Sequence, residues 1–412
     1  MGDNEIVGPN NIPEELVSEI LCYLPVKSLI RFTIVCKTWL RCIRNDHQFA
    51  MKNYLIQTTS SSTVLDNVDY MFSYVSKSGN PCLYSFTKSK SFRFSTKFEC
   101  LPDLSIEISN SCHGIICFHF WREGILLCNP LIQEIVLLPP CPTKTTYNGK
   151  KALGFDPIQN DYKVVAIDFP SKDNYLCTVN LYSLRHGHWR KLYSSISPRC
   201  SYGLEGDGAS NANGRICNWL FDKEVEFGKT ELTLLSFDMG EEVLKEFPIP
   251  KCEHEDPHSH TDDHQLLSST RWQACLSCLH RSRNFNRGFI IDVWVLKDCI
   301  WSKAIVVNFP DHEPIEPSHF WINDNELFVN IQKGNMREVF HYELGTQQLK
   351  RTGSKGFFCT TRGYMESLVS LKHFMSPHHE CKHNDTGKYV LREISRKGVR
   401  WSRSFNLIQA SR

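Results

Sequence analysis

Residues 11–43 read NIPEELVSEILCYLPVKSLIRFTIVCKTWLRCI. Three short helices follow from this stretch. Pro13 suits the first turn of a helix, where the N–H it lacks would go unpaired anyway. Glu14 and Glu15 come next, where negative charge favours the positive end of the helix dipole. Leu16, Ile20, Leu21 and Leu24 then recur at helical spacing and make an apolar face. Pro25 stops that helix. Leu29, Ile30 and Phe32 mark a second helix, and Val35, Trp39, Leu40 and Ile43 a third.

A segment this short cannot bury a core of its own, because chains below about 40 residues usually need a disulfide, a metal or a partner. It also carries more apolar residues than three short helices can hide among themselves. Two readings fit. One is a docking module that completes its core on another protein. The other is a helical cap packed on this chain's own body.

The stretch resembles the F-box. That family's pattern is met here by Ile12-Pro13, Leu16, Ile20-Leu21, Leu24-Pro25, Ser28-Leu29, Arg31-Phe32, Val35-Cys36-Lys37 and Trp39. The one departure, Ile12 in place of leucine, is conservative. The resemblance implies binding to a Skp-type adaptor and, through it, to a cullin–RING ubiquitin ligase. It assigns adaptor contact, or its support, to Ile12, Pro13, Leu16, Ile20, Leu21, Leu24, Pro25, Leu29, Phe32, Val35, Cys36 and Trp39.

The composition is that of a globular protein of two or three domains. Hydrophobic residues make up 41% of the 412, enough for a real core, and Lys+Arg 47 nearly balances Asp+Glu 45. That balance argues against whole-chain nucleic-acid binding or a polybasic membrane surface. The first ten residues, MGDNEIVGPN, lack an apolar signal region. Ile6 stands where N-myristoylation needs Ser or Thr, and no apolar run is long enough to span a bilayer. A cytosolic or nuclear setting is expected, in which the 18 cysteines serve as reduced, small hydrophobes.

Residues 1–10 read as a flexible N-terminus and 11–55 as the helical module. Residues 56–63 form a linker centred on the polar run TTSSST at 58–63. From 64 to 375 the pattern changes to short strands separated by turns. Segments starting at Gly124, Thr178, Leu232, Phe289 and Val339 each hold an apolar strand, a polar turn and a second strand. With Cys128, Tyr182, Phe237, Trp294 and Tyr342 aligned, the steps are 54, 55, 57 and 48 residues. A weaker copy lies at Leu83-Tyr84-Ser85-Phe86. A period near 50 with several strands per repeat is the mark of a kelch-like β-propeller. The double glycine typical of kelch repeats is missing, and a β-sandwich is the competing fold. The expected class is therefore α+β and multidomain: a small N-terminal helical F-box, then a mainly antiparallel β, propeller-like body.

The body also resembles the plant F-box-associated interaction domain. HGIICFHFWREGILLCNPLIQEIVLLPP from His113 is similar to that domain's first repeat. Segments from Gly154, Leu234 and Ile290 are similar to later ones. Within that family the S-locus F-box and S-locus F-box-like proteins are the nearest in style.

Asn129-Pro130 and Asp156-Pro157 read as turn initiators, and Asn148-Gly149 as a tight turn. The segment KCEHEDPHSHTDDHQLLSSTRWQACLSCLHRSR (251–283) offers Cys252, His254, Cys275 and Cys278 as zinc-type ligands. One residue between Cys252 and His254 is short for a zinc knuckle. A surface loop followed by a strand with core cysteines accounts for the segment more simply. Residues 376–412 read as a tail, and 385–412 hold seven Lys/Arg against two Asp/Glu, the composition of a solvated terminus. No phosphate loop, nucleophile elbow or HExxH helix is present.

Three functions are on offer. The first is a non-catalytic substrate receptor of a Skp–cullin–F-box ubiquitin ligase, with a protein target, no cofactor, no nucleic acid and no membrane partner. The second is an S-locus receptor for non-self ribonucleases, with the acidic patch Glu253, Glu255, Asp256, Asp262 and Asp263 as its contact. The third is a metal-dependent propeller enzyme.

Overall fold

The structure is a computed structural model, and it describes residues 12–59 and the strands and turns lying between 68 and 375. Four helices come first: α1 (Glu14–Cys22), α2 (Val26–Phe32), α3 (Lys37–Asn45) and α4 (His47–Thr59). Both prolines stand one residue ahead of a helix and supply its first acceptor. Val17 N donates to the Pro13 carbonyl at 3.1 Å, and Leu29 N to the Pro25 carbonyl at 3.1 Å. Pro25 therefore starts α2; α1 has already ended at Cys22. Cys36 begins α3, its Sγ accepting from Trp39 N at 3.4 Å.

The fourth helix was not legible in the sequence, and it runs to Thr59, past the expected exit of the module at residue 55. Its inward face carries two amides instead of an unbroken apolar stripe. Asn53 and Gln57 are buried there. Asn53 Nδ2 donates to the carbonyls of Cys22 (2.7 Å) and Leu24 (3.0 Å), and Gln57 Nε2 to that of Tyr23 (3.2 Å). A helix end leaves its last carbonyls without partners. Here α4 supplies them for α1. Residues 60–67 lie outside the described residues.

The strands follow as antiparallel meanders. The first three are β1 (Val68–Val75), β2 (Pro81–Thr87) and β3 (Phe94–Thr96). Then come β4 (Ile106–Cys112), β5 (Ile115–Phe120), β6 (Ile125–Asn129) and β7 (Glu134–Leu137). The next four are β8 (Lys150–Asp156), β9 (Asp161–Asp168), β10 (Thr178–Ser183) and β11 (His188–Leu192). The next sheet has β12 (Ala209–Ser210), β13 (Ile216–Glu226), β14 (Lys229–Asp238) and β15 (Val243–Pro248). After it come β16 (Asp263–Leu267), β17 (Ala274–Arg281), β18 (Phe289–Lys297) and β19 (Ile300–Phe309). The last strands are β20 (Ile322–Asn323), β21 (Glu326–Lys333), β22 (Met336–Glu343) and β23 (Gln348–Met365).

The 18 residues of β23 serve two blades. Residues 348–356 pair with β22, from Glu343↔Gln348 to Arg337↔Gly356, as the outer strand of the last blade. Residues 357–365 pair with β1, from Val75↔Phe357 to Val68↔Met365, as the inner strand of the first. The seven-stranded sheet β20-β21-β22-β23-β1-β2-β3 is thus two blades joined by one strand, and the described residues form six four-stranded blades. This closes the ring with the C-terminal strand. Neighbouring inner strands meet, β4 lying against both β8 and β23.

The repeat read from sequence falls in register with these blades. Cys128, Tyr182, Phe237, Trp294 and Tyr342 all lie on a third strand, in β6, β10, β14, β18 and β22. The weaker copy at 83–86 is β2, which is third from the inner edge of its own blade. The fold is a small N-terminal helical module followed by an antiparallel β-propeller. The period survives because each blade needs an apolar residue at the same depth to fill the space against the next.

Candidate docking face on the helical module

The helices sort their apolar residues into two faces. Leu21, Cys22, Val26, Leu29, Ile43, Phe49 and Ala50 are buried in one core with Leu127, Leu153 and Tyr162 of the propeller and with Leu371 and Phe374 of the segment that follows its last strand. Facing outward are Ile12, Leu16 and Ile20, which stay 58%, 54% and 57% exposed. Their spacing of four residues makes one stripe along α1 and the residues just before it. Val35 and Ile34, between α2 and α3, are 57% and 89% exposed. The starts of α1 and α3 lie side by side, since Thr38 Oγ1 donates to Glu14 Oε1 at 3.4 Å and Ser18 Oγ lies 3.4 Å from Cys42 Sγ. Ile12 and Val35 therefore stand at the same end of the module.

The residues named from the sequence divide accordingly. Ile12, Pro13, Leu16, Ile20, Pro25, Val35 and Cys36 are exposed, while Leu24, Phe32 and Trp39 are half-buried. Phe32 and Trp39 pack edge to face with centroids 5.6 Å apart and brace the turn that presents Val35. Leu21 and Leu29, at 3% and 0% exposure, are core residues and, of the two roles the resemblance implies, fit support and not direct contact. Periodicity marks apolar positions without saying which side they face. Ile34 (89% exposed) and Tyr23 (62% exposed) are also open and were not singled out from the sequence; Tyr23, three residues after Ile20, continues the stripe of α1, whereas Ile34 lies between helices and on no helical stripe. Burial raises the Cys22 thiol to about 11 and also raises that of Cys42, so both remain neutral thiols.

Residues 50–379 match the F-box-associated beta propeller domain, and residues 9–49 match the F-box domain. The chain belongs to the F-box-associated β-propeller family. Among its relatives is the F-box/kelch-repeat protein At3g23880 of Arabidopsis thaliana, 29% identical over 314 residues, which cover 74% of this chain and 81% of that protein. The F-box/WD-40 repeat-containing protein 1 of the same plant is 23% identical over 402 residues, covering 87% and 88%. The F-box of this family member is thus the helical module just described, and its propeller is the ring.

The ring's own polar clusters are built to hold turns. Asp156 ends β8; its Oδ1 accepts from Ile158 N (2.8 Å) and Gln159 N (3.1 Å), as a turn initiator should. Its other oxygen pairs with the buried Lys163, which also reaches Glu242 at 2.6 Å in the next blade. Asn129 likewise accepts from Leu131 N at 3.1 Å. Asn148 lies outside the described residues. Asp161, Ser183 and His186 come together with no motif to announce them. Ser183 Oγ donates to Asp161 Oδ2 (2.5 Å) and lies 2.8 Å from His186 Nδ1. A nucleophilic triad needs histidine between acid and serine. Here the serine is in the middle and its proton is turned to the carboxylate. With Arg185 N on Asp161 Oδ1 at 3.0 Å, the cluster locks the β10–β11 turn.

Cys275 and Cys278 lie buried on β17, in a regular register opposite Val295 and Asp292. Three residues apart on a strand, they point to opposite faces of the sheet and cannot converge on one ion. Cys278 Sγ instead meets His264 Nε2 at 3.2 Å, and burial lifts the Cys275 thiol to about 12. Cys252 and His254 lie outside the described residues. Among the described residues no group of three or more His, Cys, Asp or Glu side chains is gathered to hold a metal ion. No described helix is long and apolar enough to cross a membrane, and the twelve cysteines whose side chains are described are free.

Proposed function

We propose that this chain is the substrate-recognition subunit of a Skp–cullin–F-box ubiquitin ligase. The F-box grips a Skp-type adaptor through Ile12, Leu16, Ile20 and Val35, and the propeller carries a protein target. The chain performs no covalent step. It contributes proximity, raising the effective concentration of target lysines near the ubiquitin-charged enzyme. The observation that carries this reading is the open apolar stripe on a module whose opposite face is already filled by the ring. Burying an aliphatic side chain is worth roughly 1.5–3 kcal/mol, so three half-exposed ones offer a strong incentive to bind. The free described cysteines suit a reducing compartment such as cytosol or nucleus. The narrower S-locus reading had its acidic contact at residues 253–263, almost all of it outside the described residues.

Affinity capture from plant cells tests the proposal with two baits, the native chain and a Leu16→Asp/Ile20→Asp variant. Adaptor and cullin peptides should come with the native bait alone, while a further protein common to both is the candidate target. Equal recovery of the adaptor on both baits would remove the stripe from the interface.

A further inference from the structure

The segment that follows the ring-closing strand touches three parts of the molecule at once. It is first fixed to the β4–β7 blade. Asn129 Nδ2 donates to the carbonyls of Ser367 (3.0 Å) and Val369 (2.8 Å). The buried Glu134 accepts from Ser370 Oγ (2.9 Å) and Leu371 N (2.8 Å). The His113-Gly114 turn sits so close that a Cβ on Gly114, at φ +74°, would fall 2.4 Å from the Ser367 Cβ. No other residue fits that place.

The same segment then reaches the F-box. Glu366 pairs with Lys27 of α2 at 3.1 Å. Phe374 packs edge to face on His47 of α4, centroids 5.9 Å apart, and on Tyr162 of β9, 4.8 Å apart. Tyr162 in turn places its hydroxyl 2.8 Å from His113 Nδ1 and 3.8 Å from Met51 Sδ of α4. Tyr54 of α4 stacks edgewise on His113 at 5.1 Å. One aromatic cluster thus joins helix, ring and C-terminal segment.

We propose that Glu366–Phe374 is a clasp that couples closure of the ring to the orientation of the F-box. Only a closed ring presents Ser367, Val369 and Leu371 to Asn129 and Glu134, and only that placement sets Phe374 between His47 and Tyr162. The F-box is then held at one angle to the propeller. On the receptor reading, from which this consequence follows, the clasp residues are positioning residues: they fix the distance from adaptor to target and touch neither.

The test is the distance between a spin label at Glu15, exposed on α1, and one at Lys191, exposed on β11, each introduced as a noncanonical residue in the full chain. The native chain should give one narrow distribution. Phe374→Ala should widen it at least twofold, and Glu366→Lys should widen it less. Adding Lys27→Glu to Glu366→Lys should restore the native width, which a general loss of stability would not do. Adaptor affinity should stay within twofold throughout, because the stripe is untouched. If Phe374→Ala fails to fold, the charge swap decides alone. An unchanged width in Glu366→Lys, or a broad distribution in the native chain, overturns the clasp. Absence of adaptor binding by the native chain overturns the receptor reading and leaves the distance result standing.

Discussion

The two faces of the F-box are made of the same residue types and meet opposite fates. Leu21 and Leu29 are closed over by α4 and the ring, while Leu16 and Ile20, on the same run of short helices, remain more than half exposed. Helix propensity does not separate them, and neither does hydropathy. What separates them is that the chain provides a partner for one side only. A monomer that keeps a contiguous apolar stripe in water marks a site of association. The contrast teaches that the module can be a cap on its own body and still keep an apolar face open, so the two readings the sequence allowed do not exclude each other.

The sharpest way to break this comparison is to exchange the faces' predicted sensitivities. Leu29→Ala should lower the stability of the chain by about 2–5 kcal/mol, the usual cost of emptying a buried leucine site. Leu16→Asp should change it by less than about 0.5 kcal/mol, as exposed substitutions do. Denaturant unfolding of both variants checks the pair; similar losses would mean the stripe is part of the core.

A smaller effect is expected at Asn53. Its amide satisfies two carbonyls at the end of α1, and a buried group left unpaired costs about 1–3 kcal/mol. Asn53→Ala should reduce stability by that order and speed hydrogen exchange at the α1–α2 turn. Native exchange there would show that water replaces the amide.

The ring supplies the least of these effects, through charge. Burial raises the Asp238 carboxyl, but the Arg215 guanidinium and the N–H groups of Glu241 and Gly240 outweigh it, so the folded value lies below the usual one. Such a group stabilises above its unfolded pKa, about 3.9, and the contribution is lost as pH falls through the folded value. Asp238→Asn should therefore be less stable than the native chain at pH 7, with the gap closing below about pH 4. Burial moves Glu134 the other way, in spite of Ser370 and Leu371, so its ionised form costs stability at neutral pH. Opposite pH trends for Asp238→Asn and Glu134→Gln would sharpen the contrast between a paired surface turn and a buried clasp.

Much of this was legible in the residues. The first three helices follow from prolines and apolar spacing, and the third strand of every blade from a recurring apolar or aromatic position. The fourth helix was hidden because Asn53 and Gln57 interrupt its inner face with polar groups whose partners lie on α1. The closure by β23 was hidden for another reason: pairing between residues 68 and 365 is a property of the ring, with no local sign in either strand. Spacing marked Leu16, Ile20, Leu21 and Leu29 alike as apolar and could not tell that Leu21 and Leu29 face the ring while Leu16 and Ile20 face water.

The central claim is that the open stripe, and not the module as a whole, is what the adaptor holds. Titration calorimetry of the purified full chain with a plant Skp-type adaptor measures this directly, native against Leu16→Asp/Ile20→Asp. The account predicts an affinity at least 100-fold lower, about 2.7 kcal/mol, with an unchanged unfolding midpoint. Native affinity in a folded double variant would contradict it.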